Sequence, residues 1–271
     1  MPELAEIETL RSDLAREFLG ATIEDVHLGG ARSFRRHPDP EEFVSRVATR
    51  SVSGVRRAGK YLLVDLDNGE ILVAHMGMSG QLRLMASGAP VEKHTHVRLE
   101  FAGRPELHFV DPRTFGQMFV SSAGVPSLAH LGPDPFELDE DQFAKLLSPR
   151  STKLKVTLMD QSVIAGIGNM YADEMLHAGR LRPDRPSAEL TADETARLHG
   201  AMRSVLAEAV RRRGSTLADR QYKDLYGAPG SYQELHRVYA REGLACLTCG
   251  ELVVRVKANG RSSYFCASCQ R

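Results

Sequence analysis

Residues 246–269 read CLTCGELVVRVKANGRSSYFCASC, and this stretch contains all four cysteines of the 271-residue chain. Two Cys-x2-Cys pairs separated by 16 residues have the spacing of a zinc ribbon, in which each pair forms a tight turn. The valines within residues 253–256 and the Asn259-Gly260 pair predict a β-hairpin between the turns. Four thiolates complete a tetrahedral shell, so we expect one structural zinc ion without an open coordination position. The expected ligands are Cys246, Cys249, Cys266 and Cys269.

The segment before this ribbon has helical patterns. Apolar residues recur at helical spacing, and Gly166-Ile-Gly168 predicts a tight turn between two of the helices. The stretch LGPDPFELD at 131–139 predicts a linker that separates this part from the N-terminal part. The predicted helices span residues 141–147, 152–160, 169–178 and 192–213.

The N-terminal part begins with a predicted helix and continues as strands. Leu4, Ile7, Leu10, Leu14 and Phe18 recur at spacings of three and four, which forms one apolar face. Between residues 22 and 121, short alternating segments such as YLLVDLD are separated by turn residues. We therefore expect an α+β chain whose first helix packs on a β-sandwich or barrel. The predicted domains are 2–128, 129–236 and 237–271.

Composition limits the class of protein. Lys+Arg and Asp+Glu both total 35, so the net charge does not indicate a nucleic-acid partner. Residues 206–271 contain 11 basic and 6 acidic residues, which indicates a basic C-terminal region. The chain has no apolar run of 18 residues, and its N-terminal residues lack the pattern of a signal peptide. We expect a cytoplasmic protein without a membrane span or a disulfide framework.

Along its whole length the chain resembles the formamidopyrimidine-DNA glycosylases. The matching stretches are MPELAEIET (1–9), RRAGKYLL (56–63), HMGMSG (75–80), KHTHV (93–97), DPRTFG (111–116), HLGPDP (130–135), LMDQSVIAGIGNMYADE (158–174), VYAREG (238–243) and GRSSYFCASCQR (260–271). The resemblance implies an N-terminal helix on a β-sandwich, a helix–two-turns–helix domain and a zinc finger. The family usually has proline at position 5; Ala5 supports a helix better and keeps the spacing of the two carboxylates.

The resemblance also implies a bifunctional enzyme of DNA repair. Such an enzyme excises oxidised purines (8-oxoguanine and formamidopyrimidines) and then cuts the strand by β,δ-elimination through a Schiff base. Pro2 would supply the nucleophilic amine after removal of Met1, and Glu3 would be the acid that assists departure of the base. Lys60 would reach the phosphate of the lesion and assist β-elimination. Arg261 would grip the flanking phosphates and assist the second elimination.

The remaining expected site residues contact DNA. By resemblance, Met78, Arg113 and Phe115 fill the space left by the extruded nucleotide, and the loop 215–231 closes over the extruded base. Asn169 starts a helix after a glycine turn and is read either as an ordinary helix cap or as a phosphate contact. Further expected contacts are His75, His94, Arg150, Lys155, Tyr239 and Arg255. For the basic hairpin that carries Arg255, spacing alone leaves open a solvated strand pair.

Other functions remain open at this point. The nearest alternative is the sister endonuclease of the same fold, which prefers oxidised pyrimidines; the GMSG and DPRTFG motifs favour the purine enzyme. A DNA-binding protein without catalysis is a second alternative, although Pro2, Glu3 and Lys60 are all present. A small-molecule enzyme is disfavoured, because no phosphate-cradling glycine loop is found. We expect a monomer that binds damaged double-stranded DNA at the bacterial nucleoid.

Overall fold

The computed structural model describes residues 2–37, 39–122, 124–218, 221–258 and 260–271. These residues form two compact units. The first unit comprises residues 2–129 together with Arg212–Ser231, and the second comprises His130–Arg211 and Tyr232–Arg271. The segment Arg212–Ser231 thus packs with the first unit, whereas the sequence placed it in the second domain; the division into three domains stays a prediction. Among the described helices, none combines the length and apolarity that a membrane crossing requires.

The first unit begins with helix α1, Leu4–Phe18. Its apolar positions Ile7, Leu10, Leu14 and Phe18 are all buried, as their helical spacing predicts. A second helix, α2 (Pro40–Val47), lies in the region predicted to contain only strands. Its start is nevertheless encoded locally, because the Asp39 side chain accepts a hydrogen bond from the N–H of Glu41 and Pro40 occupies the first turn.

Two four-stranded antiparallel sheets form the β-sandwich of this unit. One sheet has the order β1-β6-β7-β5 and the other β2-β3-β4-β8. Aliphatic and aromatic side chains of both sheets and of α1 share one core. The strands are β1 Ile23–Leu28, β2 Val52–Ala58, β3 Tyr61–Leu66, β4 Ile71–His75, β5 Gln81–Met85, β6 Thr95–Phe101, β7 Glu106–Val110 and β8 Gln117–Ser121.

The second unit is helical and ends in a hairpin. Helix α5 packs against α6 and against strand β10, so the hairpin lies on the helical part of the unit. In the hairpin, Arg261 faces Ala258 and Cys266 faces Val253. Asn259, part of the expected turn, lies outside the described residues. The elements are α3 Glu140–Leu147, α4 Leu154–Met159, α5 Asn169–Ala178, α6 Ala192–Arg211, β9 Val253–Ala258 and β10 Arg261–Cys266. The predicted α+β architecture, with its sandwich, helical domain and zinc-ribbon hairpin, is confirmed.

Candidate active site and DNA interface

Pro2 and Glu3 lie buried at the start of α1. Glu3 is the N-cap residue, and its backbone N–H donates to Oε2 of Glu6 at 2.9 Å. Glu3 and Glu6 together form a capping box, which satisfies backbone donors that the first turn of a helix leaves without partners. Glu3 is therefore fixed at the start of the helix, and Pro2, directly before it, is buried. Met1, whose removal the sequence analysis expects, lies outside the described residues.

The other carboxylate oxygen of Glu6 holds a distant part of the chain. Oε1 accepts a hydrogen bond of 2.7 Å from the backbone N–H of Ser215. The preceding residue, Gly214, has φ +79°, and a Cβ added there would lie 2.7 Å from Glu6 Oε1. Only glycine allows this close approach. One buried carboxylate thus joins the turn of Glu3 to the segment Arg212–Ser231.

Lys60 and His75 lie next to each other at the ends of neighbouring strands. Lys60 precedes β3 and is 8% exposed, which is unusual for a lysine at the start of a strand. His75 ends β4 opposite Tyr61, with ring centroids 4.6 Å apart. Its Nδ1 accepts the N–H of Gly77 at 3.2 Å, which leaves Nε2 as the donor of the neutral ring.

The electrostatics around His75 favour an anion. Burial, together with the smaller effects of the positive charges of Lys60, Arg35 and Arg36, lowers the pKa of His75 from its ordinary value to about 4. The imidazole is therefore neutral at pH 7 amid three cations. A phosphate bound here would be attracted by the cations and could accept the remaining ring N–H. Arg35 and Arg36 were missed by the sequence analysis; the only signal was the short basic run RRH at 35–37.

The three side chains expected to fill the space of an extruded nucleotide lie in two adjacent loops. Met78 and Phe115 are 38% and 43% exposed, which is unusual for large apolar side chains outside a core. Arg113 is exposed as well, and its guanidinium carbon lies 4.7 Å from the centre of the Phe115 ring. The loops thus present an apolar side chain, an aromatic ring and a hydrogen-bond donor to solvent.

The side chain of Asp111 holds both loops by hydrogen bonds. It is fully buried; Oδ1 accepts from the hydroxyl of Ser79 at 2.5 Å, and Oδ2 accepts from the N–H of Gly116 at 2.6 Å. Its own N–H donates to the carbonyl of His94 at 3.0 Å. His94 has φ +68° and an exposed side chain, so this expected DNA contact is presented beside the same loops. Asp111 was not singled out from the sequence, although it begins the DPRTFG motif.

In the second unit, Asn169 is the first residue of α5, and Gly168 is the N-cap. The side-chain oxygen Oδ1 of Asn169 is buried without a hydrogen-bond partner among the described residues. Capping therefore does not account for this asparagine. The arrangement leaves the phosphate-contact interpretation in place, with the backbone N–H groups of the first turn nearby.

Lys155 has a different environment from the one expected. It is buried, and its ammonium group lies 2.7 Å from both Asp173 Oδ1 and the carbonyl oxygen of Ser262. These contacts tie α4 to α5 and to β10, and the expected contact of Lys155 with DNA stays a prediction. Arg150 is partly exposed and donates to the carbonyl of Leu146 at 2.9 Å.

Tyr239 lies in a turn that a buried carboxylate fixes. Glu174 of α5 accepts backbone N–H bonds from residues 237, 238 and 239 at 2.8 to 3.0 Å. The Tyr239 ring packs edge-on against Tyr264 of the hairpin, with centroids 5.3 Å apart. The guanidinium carbon of Arg255 lies 5.6 Å from the Tyr264 ring, and Arg261 is exposed at the start of β10. Tyr239, Tyr264 and Arg255 form one aromatic and basic surface of the second unit, whereas the alternation of β10 places Arg261 on the opposite face of the hairpin.

The four cysteines come together as the sequence predicts. Their Sγ atoms all lie within 4.8 Å of one another, with Cys246–Cys269 at 3.8 Å and Cys249–Cys266 at 3.5 Å. Ligands at the usual zinc–sulfur bond length are about 3.8 Å apart in a tetrahedron. The cluster therefore fits one structural zinc ion. His177 Nε2 lies 3.5 Å from Cys246 Sγ and is a neighbour that the sequence analysis missed.

Models of protein families match three successive parts of the chain. The model of the formamidopyrimidine-DNA glycosylase N-terminal domain matches residues 1–118, that of the H2TH domain matches residues 131–221, and that of a zinc finger found in FPG and IleRS matches residues 243–271. The formamidopyrimidine-DNA glycosylase of Herpetosiphon aurantiacus is 41% identical, with both chains fully covered. That of Bacillus anthracis is 38% identical and covers 100% of this chain and 99% of the relative.

Solved structures of FPG proteins have the same fold as this chain. The MutM (FPG) protein from Thermus thermophilus superposes with a TM-score of 0.89 at 41% identity, covering 99% of this chain and 98% of that chain. A complex of the Lactococcus lactis FPG with DNA containing an abasic site gives a TM-score of 0.91 at 29% identity, with 99% of both chains covered. The chain belongs to the formamidopyrimidine-DNA glycosylase family.

Proposed function

We propose that this chain excises oxidised purines from duplex DNA and then cuts the strand at the resulting abasic site. Family membership makes it a DNA repair glycosylase. The finer assignment of substrate and of catalytic residues is supported chiefly by one observation: Pro2 and Glu3 are buried and fixed at the start of α1, where Glu6 holds the turn.

Pro2 is the nucleophile in this proposal. An α-amino group has a pKa of about 7.7 to 8, so a useful fraction of it is neutral at physiological pH once Met1 has been removed. The nitrogen lone pair forms a bond to C1′ of the sugar, and the bond from C1′ to the base breaks with its electron pair leaving on the base. Glu3 supplies the proton that this departure requires. The nitrogen then loses its proton, the bond from C1′ to the ring oxygen O4′ breaks with its electron pair going to O4′, which takes up a proton, and an iminium ion is left between the proline nitrogen and C1′.

The iminium ion makes strand cleavage possible. It withdraws electrons from C2′, so a proton is lost there and the 3′-phosphate leaves by β-elimination. A second elimination removes the 5′-phosphate. Lys60 and Arg261 are the cations assigned to the phosphates, and each offers a positive charge that stabilises the departing anion.

DNA binding in this proposal uses surfaces of both units. Met78, Arg113 and Phe115 occupy the space that the extruded nucleotide leaves, and the cations around His75 contact phosphates. Asn169, Tyr239, Arg255 and Arg261 contribute contacts from the second unit. We assign the loop 215–231 to closing over the extruded base. The chain acts as a monomer in the cytoplasm. Sedimentation of the free protein and of its complex with DNA tests the oligomeric state.

Borohydride trapping tests the chemistry directly. The purified protein is incubated with a duplex that contains one 8-oxoguanine opposite cytosine, and sodium borohydride then reduces the iminium ion to a stable adduct. We expect a covalent protein–DNA adduct that peptide analysis maps to Pro2 and that is absent in a form that retains Met1. Tight binding without an adduct would refute the proposed chemistry.

The rates of base release distinguish this activity from that of the sister endonuclease, which prefers oxidised pyrimidines. We expect faster release of 8-oxoguanine than of thymine glycol from otherwise identical duplexes. The exposed Met78, Arg113 and Phe115 support this order, since their motifs favour the purine enzyme. A preference for thymine glycol would reverse the assignment.

A further inference from the structure

An ion-pair cluster connects α1 to the segment Arg212–Ser231, which contains the loop 215–231 and which we name the lesion loop. The Arg213 guanidinium lies between two aspartates; Nε donates to Asp224 Oδ2 at 2.8 Å, and Nη2 bonds Asp13 Oδ2. Asp13 and Asp224 are both buried, and they belong to α1 and to the lesion loop respectively. A planar guanidinium with several donors is suited to bridging two carboxylates in this way.

The cluster is one of three polar contacts that residues on one face of α1 make with the lesion loop. Glu6, Asp13 and Glu17 are spaced by seven and four residues, so they share a face of the helix. Glu6 accepts the N–H of Ser215, Asp13 binds Arg213, and Glu17 Oε1 accepts the hydroxyl of Tyr226 at 2.8 Å. One polar stripe of the helix that follows Pro2 and Glu3 thus contacts the lesion loop.

The cluster also shapes the lesion loop itself. Asp224 Oδ1 accepts the N–H groups of Tyr226 and Ala228 at 3.0 and 2.9 Å, which folds the turn 224–228 around this carboxylate. Arg213 has φ +59°, a strained conformation for a residue with a Cβ, and its ion pairs hold it there. The N–H of Ser231 donates to the carbonyl of Arg212 at 2.9 Å and closes the base of the loop.

We propose that Arg213 is a positioning residue that keeps the lesion loop ordered before DNA binds, so that excision of the base does not include the cost of ordering the loop. The inference rests on the proposed function, in which this loop closes over the extruded base. An abasic site has no base to enclose. Arg213 should therefore affect base excision and leave cleavage of an abasic site unchanged.

Hydrogen–deuterium exchange of the free protein reads the order of the loop without any activity. The amides of Ser215, Tyr226 and Ala228 have carboxylate acceptors, so we expect them to be protected. Asp13→Asn, which keeps the size of the side chain, and Arg213→Gln should both speed exchange at these three amides. Arg211→Gln is the matched control, because Arg211 is exposed and pairs with Glu208 on its own helix.

Kinetics then give the functional result. If the ordered fraction of the loop falls to about one tenth, the rate of 8-oxoguanine excision at low enzyme concentration falls roughly tenfold in Asp13→Asn and Arg213→Gln. Arg213→Lys, which keeps a cation, should lose less. Cleavage of a preformed abasic site should stay within about twofold of wild type in all three variants.

Two results would overturn the proposal. One is exchange and excision that are unchanged in Asp13→Asn and Arg213→Gln; the other is an equal loss on both substrates, which would mean a general disturbance of the catalytic helix. A wild-type protein inactive on both substrates would instead refute the proposed function. The exchange data would still decide whether Arg213 orders the loop.

Discussion

At the scale of single residues, buried polar groups decide how the exposed ones are presented. Met78, Arg113 and Phe115 could be singled out from the sequence because their motifs resemble those of the family, and their role at the extruded nucleotide stays a prediction. Asp111, which holds their loops, could not be ranked above other aspartates. Its carboxylate accepts hydrogen bonds from Ser79 and Gly116, and Ser79 is brought to it only by the folding of β4, β5 and β7.

Replacing Asp111 should therefore disturb the loops more than replacing the side chains that they display. Asp111→Asn exchanges an acceptor for an amide donor that faces the N–H of Gly116, so a buried donor loses its partner. We expect a loss of about 1 to 3 kcal/mol in the free energy of unfolding, measured by urea denaturation. Phe115→Ala should cost far less stability but slow excision. Asp67→Asn, at an exposed position, is the control; equal stability of Asp111→Asn and this control would contradict the role given to Asp111.

His75 gives a prediction about pH. Its folded pKa of about 4 lies below the ordinary value of 6.5, because burial and the charges of Lys60, Arg35 and Arg36 disfavour protonation. The folded state then binds fewer protons than the unfolded state between these values, so the contribution to stability is full above pH 6.5 and is lost as pH falls toward 4. NMR titration of the free protein should show the His75 ring neutral at pH 5.5. Titration near 6.5 would rule out this environment.

At the scale of elements, strong local signals in the sequence were sufficient to predict a helix and its bounds. The predicted helix 169–178 coincides with α5, because a glycine turn starts it and Gly179 follows it. Helix α2 was overlooked, although Asp39 and Pro40 mark its start, since its eight residues lie among short strands. The environment of Lys155 could not be derived from the sequence. A lysine in a helix is usually exposed, and only the packing of α4, α5 and β10 shows that this one is enclosed.

The contact between Lys155 and Asp173 should stabilise the second unit. Lys155→Met leaves Asp173 buried without its cation, which is expected to cost about 3 to 5 kcal/mol when the carboxyl is ionised. Burial already raises the pKa of Asp173 to about 7, against the effect of Lys155, and removal of Lys155 raises it further. The folded variant then holds a proton that the unfolded chain releases above its ordinary pKa of 3.8, so stability falls as pH rises.

Urea denaturation at pH 5 and pH 8 checks this sign. The loss of stability in Lys155→Met, relative to wild type, should be larger at pH 8. Lys153→Met removes a neighbouring, exposed lysine and should change stability little at either pH. If Lys155 were mainly a DNA contact, its substitution would weaken binding to any duplex while leaving the denaturation curve in place.

At the scale of the whole molecule, zinc and the charge distribution act together. The chain has no net charge, so any attraction to DNA depends on where the cations are held rather than on how many there are. Arg255 and Arg261 are held by a two-stranded hairpin, and an isolated hairpin is marginally stable in water. The cysteine cluster stabilises the hairpin, because two thiolates that precede β9 and two at the end of β10 bind the same zinc ion.

Removing the zinc should therefore remove the cations of the hairpin from the DNA interface without unfolding the sandwich. We expect the logarithm of DNA affinity to fall linearly with the logarithm of salt concentration, with a slope of about 0.9 for each phosphate that a cation neutralises. After zinc is displaced with a mercurial reagent, or in Cys249→Ser, affinity should fall and the slope should decrease by about one to two. Circular dichroism should show that the β-strand signal persists. A slope that is the same with and without zinc would mean that the hairpin contributes no phosphate contacts, and the DNA roles of Arg255 and Arg261 would have to be abandoned.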